Sequence, residues 1–186
     1  MFKLVKKKLL LVGLILVASL AFLVSGCSSG GEKDAGNVED TENENGQVSE
    51  LMVDNYLVND SQGGISIDAV WSTPELYEAT GNGQLIEEYE LDDYHVFELM
   101  LTAHSGDLRE HDYLETSVLL IDDAEIKAVK ADFISNDSHH PAILIKFPKQ
   151  DEGGNDYLTS ASKSVEFLLK DLEGVAERKF KWELPF

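Results

Sequence analysis

Between Ile65 and Leu184 the chain returns again and again to an apolar/polar alternation with a period of two. In ISIDAVW, Ile65, Ile67, Ala69 and Trp71 fall on one side; in AERKFKWEL, Ala176, Phe180, Trp182 and Leu184 oppose Glu177, Lys179, Lys181 and Glu183. Successive side chains of a strand point to opposite faces, so this spacing predicts half-buried strands rather than helices. Further strands are predicted at 94–104, 113–121, 126–134, 142–148 and 163–170. Asp122-Asp123 and Leu172-Glu173-Gly174 carry the turn chemistry of tight hairpins. Short strands punctuated by turns predict an all-β fold, an antiparallel immunoglobulin-like β-sandwich of about seven strands. Residues 73–93 form a long connection with room for a short helix, and 149–162 a second insertion.

The strands begin well into the chain. Lys3, Lys6, Lys7 and Lys8 are followed by 16 uncharged residues, Leu9 to Val24, and then by Ser25-Gly26-Cys27. A basic start, a short apolar run and small residues before a cut site predict a secretory signal peptide over 1–26. The run is shorter than the roughly 20 residues that cross a bilayer core. Leu23-Val24-Ser25-Gly26-Cys27 resembles the lipobox of bacterial lipoproteins. That resemblance implies that the Cys27 sulfur receives a diacylglycerol, that the preceding peptide is removed, and that the chain is held on the extracytoplasmic face of the cell membrane. Each buried methylene contributes roughly 0.8 kcal/mol, so more than one acyl chain is needed for a firm anchor. Cys27 is the single cysteine, so acylation leaves none for disulfides, thiolate ligands or nucleophilic catalysis.

Residues 27–50 carry the acylated cysteine and then seven acids, one lysine and hardly any large apolar group. Such a composition cannot offset its ordering entropy by burial, which predicts a flexible acidic linker. Residues 51–186 are enough for one ordinary domain with its own core. Beyond residue 26 the chain has 11 basic and 35 acidic residues, a formal charge of −24. That charge repels nucleic acid and excludes it as a partner. It suits cationic partners and metal ions, and it equally suits simple solubility.

Histidine placement supplies the candidate site. If the strands alternate in direction, the end of 94–104 and the start of 142–148 share one rim of the sandwich. His104, His111, His139 and His140 then converge there with Asp107, Glu110, Asp112 and Asp137, while His95 lies at the other end. Neutral imidazoles and carboxylates are zinc or copper ligands, three or four to an ion. His104, His139 and His140 are the predicted metal ligands, with His111 or Asp107 completing the set. Only one of the adjacent His139 and His140 can aim at a shared ion from extended backbone; turn-filling is the competing role. DEGGND, Asp151 to Asp156, offers oxygens but lacks the twelve-residue calcium-loop pattern.

No G-x-S-x-G, H-E-x-x-H, phosphate-loop or dinucleotide fingerprint occurs. Ser105, His104 and Asp107 are too close in sequence for triad geometry. LTAHSGDL, SHHPAILIKFP and LEGVAERKFKWEL together resemble small uncharacterised exported bacterial β-rich proteins, across much of 94–186. In those proteins a threonine commonly precedes the first histidine, where Ala103 stands here, and a glycine often follows the histidine pair. The expectation is therefore a membrane-anchored, non-catalytic binding or interaction domain whose partners are membrane lipid, through Cys27, and another envelope protein. The alternative is a zinc- or copper-binding envelope protein.

Overall fold

In the computed structural model, residues 53–185 are described. The predicted signal peptide, Cys27 and the linker lie outside them. Among the described residues nine strands form two antiparallel sheets. The strands are β1 (Leu57–Gln62), β2 (Ile65–Ser72), β3 (Tyr94–Ala103), β4 (Ser117–Ile121), β5 (Ala124–Lys127), β6 (Lys130–Ser135), β7 (Ala142–Pro148), β8 (Ser164–Leu172) and β9 (Val175–Glu183). The order is β1-β2-β3-β7-β6 in one sheet and β5-β4-β8-β9 in the other.

The period-two faces meet between the sheets. Ile67, Phe97, Leu99, Ile145 and Phe147 of the first sheet pack with Leu119, Phe167, Leu169, Phe180 and Trp182 of the second, all within 2% of complete burial. Phe97 is the hub of this core: it stacks on Trp71 and Phe167 at 6.3 and 5.4 Å and meets Phe147 edge-on at 5.8 Å.

Three expectations need correction. Residues 126–134 are not one strand. Ile126 and Ala128 face the core, and Ala131 is the next residue to pack on it, so the alternation slips by one residue. The chain leaves β4 there and joins β7 as β6. Residues 113–116 are a helical turn, α3 (Tyr113–Thr116), rather than the start of a strand, because the Asp112 carboxylate accepts the Glu115 N–H at 3.2 Å. The third is β1. Its sequence LVNDSQ does not alternate, yet Gly63 and Gly64 at φ 56° and 79° make the two-residue turn that pairs Gln62 with Ile65.

The 73–93 connection holds two short helices, α1 (Pro74–Ala79) and α2 (Gln84–Glu88). Thr73 caps α1 by accepting the Leu76 N–H, and Pro74 opens it. Tyr77, Tyr89 and Leu91 form a second, smaller core on the outer face of the five-stranded sheet, over Val96 and Leu144. Glu90 fastens this cover. Its carboxylate accepts a hydrogen bond from the Lys146 Nζ at 2.6 Å, and that lysine is otherwise buried. The interaction holds the Glu90 carboxyl below the ordinary carboxylate range. Among the described residues no helix is long and apolar enough to cross a membrane.

Candidate functional site

The antiparallel pairing of β3 with β7 brings the predicted loops together. Ala103 N–H donates to the His139 carbonyl at 2.9 Å, and Leu108 N–H to the Ser138 carbonyl at 3.0 Å. His104, Asp107, His139 and His140 thus belong to loops that meet at one rim, and His95 opens β3 at the other end.

The side chains do not assemble an ion site. Asp107 accepts from Arg109 Nε and Nη2 at 2.8 and 2.5 Å, which draws its carboxyl down to about 2. His111 Nε2 lies 2.8 Å from Thr116 Oγ1, and its ring packs edge-on against Tyr113. His139 Nδ1 is 3.1 Å from Ser138 Oγ, while His140 Nδ1 is 3.3 Å from Thr102 Oγ1, a strand away. The histidine pair fills a turn: the Asp137 carboxylate accepts both backbone N–H groups at 2.9 Å. Among the described residues no three His, Cys, Asp or Glu side chains are grouped so as to hold a metal. Asp107, His111, His139 and His140 each have a polar atom engaged by a near neighbour, so sharing a rim does not by itself aim the set at one point. Asp151 behaves similarly, accepting from Gly153, Asn155 and the Asn155 amide within its own loop.

The opposite end carries a cleft of about 320 Å³, with Tyr56, Trp71, Leu91, Tyr94, His95 and Leu158 among its walls, Glu75 and Lys149 on its lining, and Ser72 and Thr73 beside them. Its parts come from the ends of β2 and β3, the start of α1 and the 149–162 loop. Lys149 Nζ is committed to the Leu91 carbonyl at 2.5 Å. Trp182 Nε1 donates to the Tyr56 carbonyl at 3.0 Å, and Trp71 lies 6.1 Å from Trp182. Ser72 Oγ and Tyr77 OH, 3.1 Å apart, continue the polar seam toward the outer cover. There burial raises the Glu98 carboxyl, against a hydrogen bond from Tyr77.

His95 is the unusual wall residue. It follows the core phase of β3, shared with Phe97 and Leu99, and is 6% exposed. Its Nε2 is buried and has no hydrogen-bond partner among the described residues. Such a group costs roughly 1–3 kcal/mol relative to a satisfied one. Burial lowers its pKa to about 4, the Lys149 charge acts in the same direction, and Asp156 opposes both. The imidazole is therefore neutral at pH 7, with hydrogen-bonding capacity unspent.

A pH prediction follows from that neutrality. Below pH 6.5 the unfolded chain protonates this histidine while the folded one does not, so stability falls as pH drops from about 6.5 to about 4. The share due to His95 is about 3 kcal/mol at the acid end. His95→Gln should flatten the slope in urea unfolding between those pH values; an unchanged slope assigns it to other groups.

Sequence reasoning missed this cleft because its walls are scattered from Tyr56 to Leu158. The available signal was His95 itself, a polar residue in phase with the core positions of YHVFEL. No family model, no curated protein and no solved structure matches the chain.

Proposed function

We propose that the protein is a bacterial lipoprotein, anchored through acylated Cys27 on the extracytoplasmic face of the cell membrane, whose domain is a non-catalytic binding module. Its ligand-binding site is the cleft at the His95 end. The observation that carries this reading is the coincidence, in one concavity, of Trp and Tyr walls with a buried neutral imidazole whose nitrogen has no partner among the described residues. Apolar clefts with a few polar groups are the usual form of small-ligand sites. Glu75 and Lys149 carry opposite charges and Lys149 is already bonded, so the cleft suits a neutral ring bearing one hydrogen-bonding substituent.

The strand order supports an immunoglobulin-like reading of the sandwich. β2, β3, β7 and β6 follow the order A, B, E, D of that fold, and β5, β4, β8 and β9 follow C′, C, F, G, with β1 added at the edge.

Phenol and indole are suitable probes, because Trp71 lines the cleft and the chain has only two tryptophans. Phenol is expected to change tryptophan emission saturably, and Leu158→Phe, which fills the cleft, should weaken the response roughly tenfold. A response that is linear in phenol, or equal in the filled variant, removes the cleft as a ligand site.

A further inference from the structure

The two lateral edges of the sandwich differ. At one edge Arg178 of β9 reaches across to the Asp60 carboxylate and the Gln62 carbonyl of β1. At the other, β6 ends the five-stranded sheet and, among the described residues, has β7 as its one strand neighbour. Large exposed hydrophobic side chains gather at this second edge: Val129, Phe133 and Ile134 are 53, 40 and 45% exposed. Leu114, also exposed, lies on α3, which packs against β6. Proteins ordinarily blunt edge strands with charges or bulges. Here the register shift falls beyond Phe133, leaving Lys130 to Phe133 regularly paired with β7.

The free backbone groups of β6 can be identified. Leu101 N–H bonds the Pro141 carbonyl and Ala103 N–H the His139 carbonyl. Continuing that alternation, Ile143 and Ile145 bond toward β3, so Leu144 and Lys146 turn toward β6. Their partners Asp132 and Lys130 bond to β7, which leaves the N–H and C=O of Ala131 and Phe133 on an edge that is open among the described residues.

We propose that this edge is the interface of a twofold dimer, in which a second copy adds its own β6 antiparallel, with Ala131 opposite the partner's Ala131. In that register Lys130 stands opposite the partner's Asp132, and symmetry makes the pair twice; the Val129 N–H is spent on the Lys146 carbonyl at 2.9 Å, so the new ladder is confined to β6 itself. Free backbone groups at Ala131 and Phe133 restrict the alternatives to slips of two residues. One slip sets Lys130 against the partner's Lys130 and the other sets Asp132 against the partner's Asp132. Like charges directly opposite disfavour both, so the charges of KAD select one register for a second copy. Within the monomer Lys130 bridges Asp132 at 3.2 Å and Glu90 at 3.7 Å, all exposed; such bridges are weak and readily exchanged.

Sedimentation equilibrium of the full chain in density-matched detergent tests this. The wild type should show a concentration-dependent dimer. Lys130→Glu and Asp132→Lys should each weaken it by roughly tenfold, since each turns two attractive pairs into two repulsive ones. The double variant Lys130→Glu/Asp132→Lys should return to within about threefold of wild type. Circular dichroism on the same samples shows that the monomers remain folded. A wild type that stays monomeric at all soluble concentrations overturns the proposal. So does a dimer unaffected by both single changes, or a folded double variant no tighter than either single.

Discussion

Truncating Phe97 to alanine is expected to destabilise the domain by about 4 kcal/mol in urea unfolding, one of the two largest effects of any single change. The ring is fully buried in β3 and touches both sheets: Trp71 and Phe147 belong to its own sheet, Phe167 and Trp182 to the other. Trp182 lies 5.3 Å away and Phe167 5.4 Å, closer than either same-sheet ring. Removal therefore loses transfer energy and leaves a cavity walled by four large aromatic rings. Their backbones are pinned in two ladders, so the site cannot collapse cheaply. Phe97→Leu, which refills much of the volume, should cost roughly 1–2 kcal/mol. Phe133→Ala, at 40% exposure, should cost less than about 1 kcal/mol. An unchanged dependence on urea with a lower midpoint identifies a stability change. A loss at Phe97 no larger than at Phe133 contradicts the role of this ring as the inter-sheet hub.

Strands with one buried face were legible because burial imposes the alternation that reveals them. β2, β3, β7, β8 and β9 lie within a residue or two of the positions that alternation predicts. The misreadings come from places where another constraint decides. β1 is an edge strand whose side chains are mostly exposed or half-buried, so water places no demand on its pattern; only the Gly63-Gly64 turn announced it. In 113–121 the apolar content suggested a longer strand, but the local carboxylate of Asp112 captures the backbone first. In 126–134 both halves are strand-like, and the one-residue slip after Ala128 carries the change of sheet.

The candidate sites divide along the same line. That His104, His139 and His140 lie in adjoining loops follows from strand direction, which pattern reveals. Whether their nitrogens converge depends on rotamers and on nearby hydroxyls and carboxylates, which pattern does not reveal. The cleft is harder still, since Tyr56, Trp71, His95 and Lys149 are neighbours only after the sandwich closes. Two polar residues in core phase were the readable warnings: His95 in YHVFEL, and Arg178 in AERKFKWEL, in step with Phe180 and Trp182.

Arg178→Met should cost about 4 kcal/mol, because it removes the positive member of a buried pair and keeps the negative one. Arg178 is completely buried, and the Asp60 side chain beside it is 13% exposed. The guanidinium also donates to the Gln62 carbonyl at 2.9 Å, so the variant leaves that backbone acceptor without its donor as well. Arg178 Nε has no partner among the described residues, which shows that the pair is imperfectly satisfied even in the native fold. The double variant Asp60→Leu/Arg178→Met should therefore recover most of the loss, as replacing a whole buried pair with apolar groups is often near neutral. A double-mutant cycle in urea gives the coupling directly. The strands involved make a second readout available. Among the described residues β2 is the one strand that pairs with β1, and Arg178 ties β1 to β9 of the other sheet. Amide exchange in β1 should accelerate in Arg178→Met more than exchange in β8, and slow again in the double variant only if the two introduced apolar side chains pack against each other. Equal acceleration in both strands would mean that Arg178 serves the core as a whole and is no clasp between the sheets.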